Sequence, residues 1–182
     1  MNRIISRRRL LSMSTIGAAG LLAACTMTTG GGSTTVTLDV AKIVTNSEAM
    51  LSALSAVLMV PTVIIALGVN YAAAEAALTA AQATLAEIEA LTNGSISVTV
   101  NTAKLQALVT SLLNDAQTAL ALVQNAATAL TGAVATQVTN AVSAILVLIP
   151  FVRMAAGFPA VQPAVGAMSE QQALSVLRQV RR

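Results

Sequence analysis

The chain has 182 residues, of which 55% are hydrophobic, 9% are charged and 2% are aromatic, and its formal net charge is +3. It contains no His, no Trp and a single Cys, which excludes an imidazole base, an imidazole metal ligand and an internal disulfide. The few aromatic rings leave little for nucleobases to stack on, so the composition argues against nucleic-acid binding.

The N-terminal segment combines a basic start with a short apolar stretch. Four arginines lie within the first nine residues, and residues 10–24 carry no charge. That stretch has the length of the apolar region of a secretory signal and is shorter than a bilayer span. We therefore expect residues 1–24 to be a signal peptide.

The end of this segment, Leu22-Ala23-Ala24-Cys25, resembles the bacterial lipobox. The resemblance implies that the Cys25 thiol receives a diacylglyceryl group and that the chain is cut just before it. Besides this covalent lipid we expect no cofactor, and the resemblance places the protein in the bacterial cell envelope, facing the periplasm. Under the sorting rule known for such lipoproteins, Thr26 rather than Asp after the Cys favours the outer membrane.

The stretch SRRRLL, residues 6–11, also resembles the twin-arginine export signal, with Arg7 and Arg8 as the arginine pair. Leu10 stands where that motif prefers Phe, and Ser12 stands where it prefers Lys. Lipoproteins exported by the Sec route also carry arginine pairs. Both export routes therefore stay open.

Removal of residues 1–24 changes the charge of the chain. Six basic residues then face seven acidic ones, a net charge of −1, so the basic character belongs to the signal and indicates no nucleic-acid partner. The remaining chain is long enough for one domain, and its Ala, Leu and Val content favours closely packed helices. Residues 25–35, rich in Gly, Ser and Thr, are predicted to be a lipidated Cys followed by a flexible tether.

A short internal sequence repeat follows the tether. Residues 36–43, VTLDVAKI, match residues 98–105, VTVNTAKL, at four of eight positions and at a constant offset of 62. Both copies begin with the alternation typical of a strand and place Asp39 or Asn101 where a helix N-cap is expected. We infer two related strand-helix-helix units, whose two strands can pair into a short β ribbon.

Apolar residues between residues 40 and 150 recur with the helical period. We expect Pro61 to end or kink the first helix, and a second helix to run to about Thr92. Gly132 is expected to bend or break a long helix that Pro150 then ends. The predicted fold is mainly α, a bundle of three or four helices over residues 36–150. The predicted core is formed by Val40, Ile43, Val44, Ser47, Leu51, Leu54, Leu58, Leu78, Ala81, Leu85, Ile88, Leu105, Leu108, Leu112, Ala116, Ala119, Val123, Leu130, Val134, Val138, Ala141 and Ile145.

Two uncharged stretches, residues 49–74 and residues 116–152, are long enough to cross a bilayer. The second carries Gln, Asn and Thr along one face, which a lipid-exposed helix would not tolerate well. The sequence favours two core helices of a water-soluble bundle. A helical hairpin that inserts into a bilayer is the alternative.

The tail, residues 151–182, is separate in composition: a Pro-rich segment precedes an amphipathic helix that is basic at its end. Ser169 begins the capping-box pattern SEQQ. Arg178, Arg181 and Arg182 give the tail a net positive charge, whereas residues 36–150 are net negative. The helix can dock on the acidic body or lie on an anionic lipid surface, and docking is favoured because arginines suit a helix C-terminus.

The sequence offers little for catalysis. The only thiol is assigned to the lipid, Glu87 and Glu89 are spaced so that they do not face each other on a helix, and Tyr71 stands alone. We expect no catalytic residue, no metal site and no enzyme. The predicted function is a lipid-anchored structural or protein-interaction module, which associates with itself or with an envelope protein. The alternative is a carrier of apolar ligands, or a protein that inserts into membranes or forms pores.

Overall fold

The computed structural model describes residues 27–30, 33–36, 38–92, 102–159 and 168–180, and the element bounds refer to these residues. The fold is mainly α and forms a helical bundle, as predicted. Its elements in chain order are β1 (Met27–Gly30), β2 (Ser33–Val36), α1 (Val40–Leu58), α2 (Pro61–Leu67), a 3-10 turn (Gly68–Asn70), α3 (Tyr71–Thr92), α4 (Thr102–Ala127), α5 (Gly132–Ala155) and α6 (Glu170–Val180).

The start of α1 and its end are both fixed by local signals. The Asp39 side chain accepts a hydrogen bond from the Lys42 backbone N–H at 3.0 Å, so the predicted N-cap is confirmed. The helix ends at Leu58, and Pro61 occupies the first turn of α2, where its missing N–H costs nothing. The predicted effect of Pro61 is therefore also confirmed.

The predicted second helix is not continuous. Gly68 has a φ of +52°, a left-handed value that ends α2, and a 3-10 turn leads into α3. Tyr71 is the first residue of α3, at a helix junction as the sequence indicated. The helix reaches Thr92, the predicted end. Together these breaks turn the link between α1 and α3 into a corner.

The second half of the bundle contains one confirmed break and one wrong prediction. Gly132, with a φ of +66°, begins α5 and separates it from α4. Pro150, however, lies inside α5, which continues to Ala155. A proline in a helix interior loses one backbone hydrogen bond. Val152 and Ala155 beyond it are fully buried, so packing compensates for that loss and carries the helix past the predicted domain boundary.

The observed β ribbon differs from the predicted one. Strands β1 and β2 pair antiparallel, with Met27 opposite Val36 and Gly30 opposite Ser33. The hairpin therefore lies mostly within residues 25–35, for which the sequence predicts a flexible tether. Its β-branched Thr and Val residues favour strand geometry. The predicted second strand, residues 98–100, lies outside the described residues.

Helix α1 lies at the centre of the bundle and contacts each of the other five described α-helices. Helix α3 packs most extensively on α4, and α6 packs on α5 and α1. Gln106 near the start of α4 donates from Nε2 to the Ala156 carbonyl oxygen after α5, at 3.2 Å, so these two helices run in opposite directions. Helices α1 and α4 begin 62 residues apart, which is also the offset of the internal sequence repeat.

The core follows the predicted apolar stripes closely. Most predicted positions are buried, whereas Val44, Leu108, Leu130 and Val134 are partly buried at its edge. The structure adds a second set of buried side chains beside the predicted stripe, because each central helix is covered on more than one side. These added residues include Asn46, Met50, Ala53, Val57, Val109, Leu113, Leu120, Val142 and Leu148.

Ser47 provides a stability prediction. Its side chain is fully buried, and its Oγ has no hydrogen-bond partner among the residues that the structure describes. An unsatisfied buried hydroxyl destabilises the folded state, so we expect Ser47→Ala to raise the free energy of unfolding by about 1 kcal/mol. Urea denaturation measures this change. The matched control is Ser52→Ala on the same helix, half-buried, and an equal gain in both variants would contradict the assignment to the buried hydroxyl.

Candidate functional site

The corner between α1 and α3 carries the most exposed apolar side chains of the bundle. Among the described residues four large apolar side chains are exposed, and three of them lie here: Met59 is 72% exposed, Ile65 is 79% and Val69 is 95%. We call Met59, Ile65 and Val69 the apolar tip. Leu146, the fourth, lies on α5 and is only 44% exposed. Clustered exposed apolar residues are typical of interaction surfaces.

The apolar tip lies at the end of the bundle opposite the start of α1. Helix α1 runs from Val40 to Leu58, and the tip follows directly after it. Buried Val63 and Leu67 hold α2 against the core, while Ile65 on the same short helix points away from it. No charged residue occurs between Glu48 and Glu75 in the sequence. The residues next to the tip in the sequence are therefore uncharged as well.

Helix α3 continues this weakly polar surface. Opposite its buried stripe it exposes mainly small residues, and Glu87 interrupts them near the end of the helix. A solvent-exposed helix of a soluble domain usually carries more charge on this face. The exposed small residues on this face are Ala72, Ala76, Thr79, Ala80, Ala83 and Ala90.

A polar cluster at the start of the tail helix α6 joins it to the body. Lys42 Nζ forms an ion pair with Glu170 at 2.8 Å, and Asn46 donates from Nδ2 to the other carboxylate oxygen at 2.8 Å. Asn46 is almost fully buried, so Glu170 is its required acceptor. The Lys42 ammonium also lies 5.6 Å from the centre of the Phe151 ring. We call Lys42, Asn46 and Glu170 the tail latch.

The start of α6 contains the predicted capping box. The Gln172 backbone N–H donates to Ser169 Oγ at 3.2 Å, and the Ser169 N–H donates to Gln172 Oε1 at 2.8 Å. Ala173 and Leu177 are buried against the body. The tail helix therefore docks on α1 and α5, and Arg178 remains exposed near its end.

An open groove of about 480 Å³ lies between α1 and α3. Its floor includes Leu51 and Leu85, and its rims carry Glu48 and Glu89. Among the described residues, no basic side chain lines it. Shallow polar grooves of this kind arise where two helices diverge, and they lack the enclosed apolar walls of a typical small-molecule site.

The acidic and phenolic side chains outside the tail latch are dispersed. Glu75, Glu87 and Glu89 are exposed on α3, and Asp115 is half-buried on α4. Tyr71 is half-buried at the start of α3 and packs on the core. Within the described ranges no group of three acidic, His or Cys side chains is placed to hold a metal ion.

Several predicted site residues fall outside the described residues. These are the export residues Arg7 and Arg8, the lipidation residue Cys25, the predicted cap Asn101, and the last two arginines of the tail, Arg181 and Arg182.

Two described stretches, Pro61–Thr92 and Gly132–Ala155, are long and apolar enough to cross a bilayer. Core helices of water-soluble proteins meet the same criterion by length and composition. In the second stretch 50% of the most apolar window is buried in the bundle, whereas in the first stretch only 22% is buried. The first stretch, which contains the apolar tip and the small-residue face of α3, is thus the less covered of the two.

Comparison of the chain with family models, with curated proteins and with solved structures finds no match.

The sequence contained signals for the apolar tip and not for the tail latch. The run from Val57 to Val69 is strongly apolar and is interrupted by Pro61 and Gly68, a pattern that predicts an apolar corner. Asn46 looks like an ordinary exposed polar residue of α1. Its burial depends on Glu170, which is 124 residues away in the chain.

Proposed function

We propose that this protein is a lipid-anchored, non-catalytic interaction module of the bacterial cell envelope, held in the outer membrane by a lipid on Cys25 and facing the periplasm. The observation that carries the proposal is the apolar tip. The bundle closes its own core, yet Met59, Ile65 and Val69 are each more than two-thirds exposed at one corner. These exposed side chains lie outside the core and suit contact with another surface.

A non-catalytic role is supported by the placement of the polar groups. Glu170 is engaged with Lys42 and Asn46, and Asp39 caps α1. Glu75, Glu87 and Glu89 on α3 are exposed to solvent and lie outside any enclosed cleft. These groups have structural or solubilising roles in the proposed function.

A second candidate, a protein that inserts its own helices into the membrane, is favoured by one observation. The apolar stretch Pro61–Thr92 is only 22% buried in its most apolar window. Against deep insertion stand Glu75, Glu87 and Glu89, all exposed on α3, because ionised carboxylates are costly at the bilayer centre. A carrier role receives less support, since the groove between α1 and α3 is open and its rims are acidic.

The anchor is tested with Cys25→Ala. In cells that express the unmodified chain, we expect mass spectrometry to find a processed protein that begins at Cys25 and carries a diacylglyceryl group. The variant should lack the lipid and should appear in the soluble periplasmic fraction or remain unprocessed. An unmodified thiol on the wild-type chain would refute the proposed anchor. Arg7→Lys combined with Arg8→Lys separates the two export routes, because the twin-arginine route requires the pair.

A further inference from the structure

We propose that the apolar tip inserts into the surface of the bilayer that anchors Cys25, so that the protein is attached to the membrane at two points. This inference rests on the proposed function, because a lipid on Cys25 is what keeps a bilayer next to the body. It specifies the partner of the tip as the apolar boundary of a lipid leaflet.

The chemistry of the tip fits a leaflet. Met59, Ile65 and Val69 are long or branched apolar side chains, and the exposed fraction of each exceeds 70%. The chain around them is uncharged from residue 49 to residue 74, so insertion at the headgroup boundary buries no charge. The tip lies on α2 and the turns beside it, between the longer helices α1 and α3.

The chain between the anchor and the body is short enough to keep the body close to the leaflet that holds the lipid. Twelve residues separate Cys25 from Leu38, the first described residue of the body. Fully extended, they would reach about 40 Å. With β1 and β2 paired, Met27 lies opposite Val36 and the link is much shorter. In both states the tether holds the body at a high effective concentration near the bilayer.

The geometry allows both attachments at once. Helix α1 has 19 residues and is therefore about 28 Å long, with the tether at its start and the tip after its end. The extended tether, about 40 Å long, is longer than this helix. The anchor and the tip can therefore reach the same leaflet.

Insertion is confined to the tip. Glu75 follows the 3-10 turn by about one helical turn and is exposed, and Glu87 and Glu89 are exposed further along α3. These carboxylates keep α3 at the water interface. The other long apolar helix, α5, is covered by α1, α4 and α6. The contact is thus a surface attachment and not a membrane span.

The test uses the processed chain, residues 25–182, with Cys25→Ser so that no lipid is attached; every described residue is retained. Flotation with phosphatidylcholine vesicles measures binding in about 0.5 M salt, where interactions between exposed charges are screened. We expect the protein to float with the vesicles. The combined variant Met59→Gln, Ile65→Gln, Val69→Thr should reduce the partition coefficient at least about tenfold. Leu146→Gln, at an exposed apolar residue away from the tip, is the matched control and should bind normally.

A second measurement keeps the test independent of the triple variant. The chain has no Trp, so Val69→Trp introduces a unique fluorophore at the tip. We expect its emission to shift to shorter wavelength when vesicles are added, while Leu146→Trp shows no shift. The proposal is overturned if Val69→Trp does not respond, or if the triple variant floats like the parent. It is also overturned if the parent forms a dimer that the tip substitutions dissociate, since the partner is then a second copy.

Failure of this inference and failure of the proposed function give different results. The vesicle experiments use a chain without lipid and report on the tip alone. The lipid on Cys25 is detected separately, by mass spectrometry of the protein made in cells. If Cys25 carries the lipid but the tip does not bind vesicles, the second attachment is refuted and the proposed lipid anchor stands.

Discussion

Replacing Leu54 with Ala is expected to lower the free energy of unfolding by about 3 kcal/mol. Leu54 is 1% exposed and lies on α1, the helix that contacts every other described α-helix. Truncation removes buried apolar surface and leaves a cavity that neighbouring helices cannot fill without moving together. Because α1 is central, the cavity affects the whole bundle, and urea denaturation should show one cooperative transition at a lower midpoint.

The matched control for the core substitution is Leu146→Ala. Leu146 is 44% exposed on α5, so its truncation removes less buried surface, and we expect a loss below about 1 kcal/mol. An equal loss of stability in the two variants would contradict the claim that burial of Leu54 in the core causes the larger effect. If Leu54→Ala produced two separate transitions, the bundle would not unfold as one cooperative unit.

Replacing Glu170 with Ala is expected to weaken the docking of α6 by about 2 kcal/mol. The substitution removes the hydrogen-bond acceptor of the Asn46 amide, which is buried and cannot bond to water instead. It also removes the ion-pair partner of Lys42. Ala173 and Leu177 of α6 are buried, and its other apolar residues pack partly buried against the core, so apolar contacts and the polar cluster both attach the helix. Limited proteolysis should cut the variant near α6 sooner than the parent.

The conservative variant Glu170→Gln separates the two contacts of the tail latch. A glutamine keeps an oxygen that can accept from Asn46 but loses the charge that pairs with Lys42. We expect Glu170→Gln to lose about 1 kcal/mol, less than Glu170→Ala, because partly exposed ion pairs contribute little. Glu87→Ala, an exposed carboxylate on α3, is the control and should leave proteolysis unchanged. Equal proteolysis of Glu170→Ala and the parent would contradict the latch.

The tail latch and the apolar tip have different roles in the proposed function. The latch holds α6 across α1 and α5 and so covers part of an apolar helix that is long enough to span a bilayer. The tip remains uncovered at the far end of α1. The first feature favours a stable water-exposed body, and the second provides a surface on which that body can contact a membrane.

The sequence by itself determined the features that depend on neighbouring residues. The N-cap Asp39, the break at Pro61, the start of α5 at Gly132 and the capping box at Ser169 each act within about one helical turn. The apolar stripes were also readable, because the helical period puts their residues on one face whatever the partner. These local signals were enough to predict a mainly α bundle.

Only the tertiary structure decided the features that depend on contacts between distant segments. Pro150 does not end α5, because Val152 and Ala155 pack into the core beyond it. Asn46 is buried because Glu170, at the other end of the chain, accepts its hydrogen bond. The exposure of Val69 likewise depends on where the other helices stop. Local chain geometry sets where helices begin and break, and packing between them decides which side chains are covered.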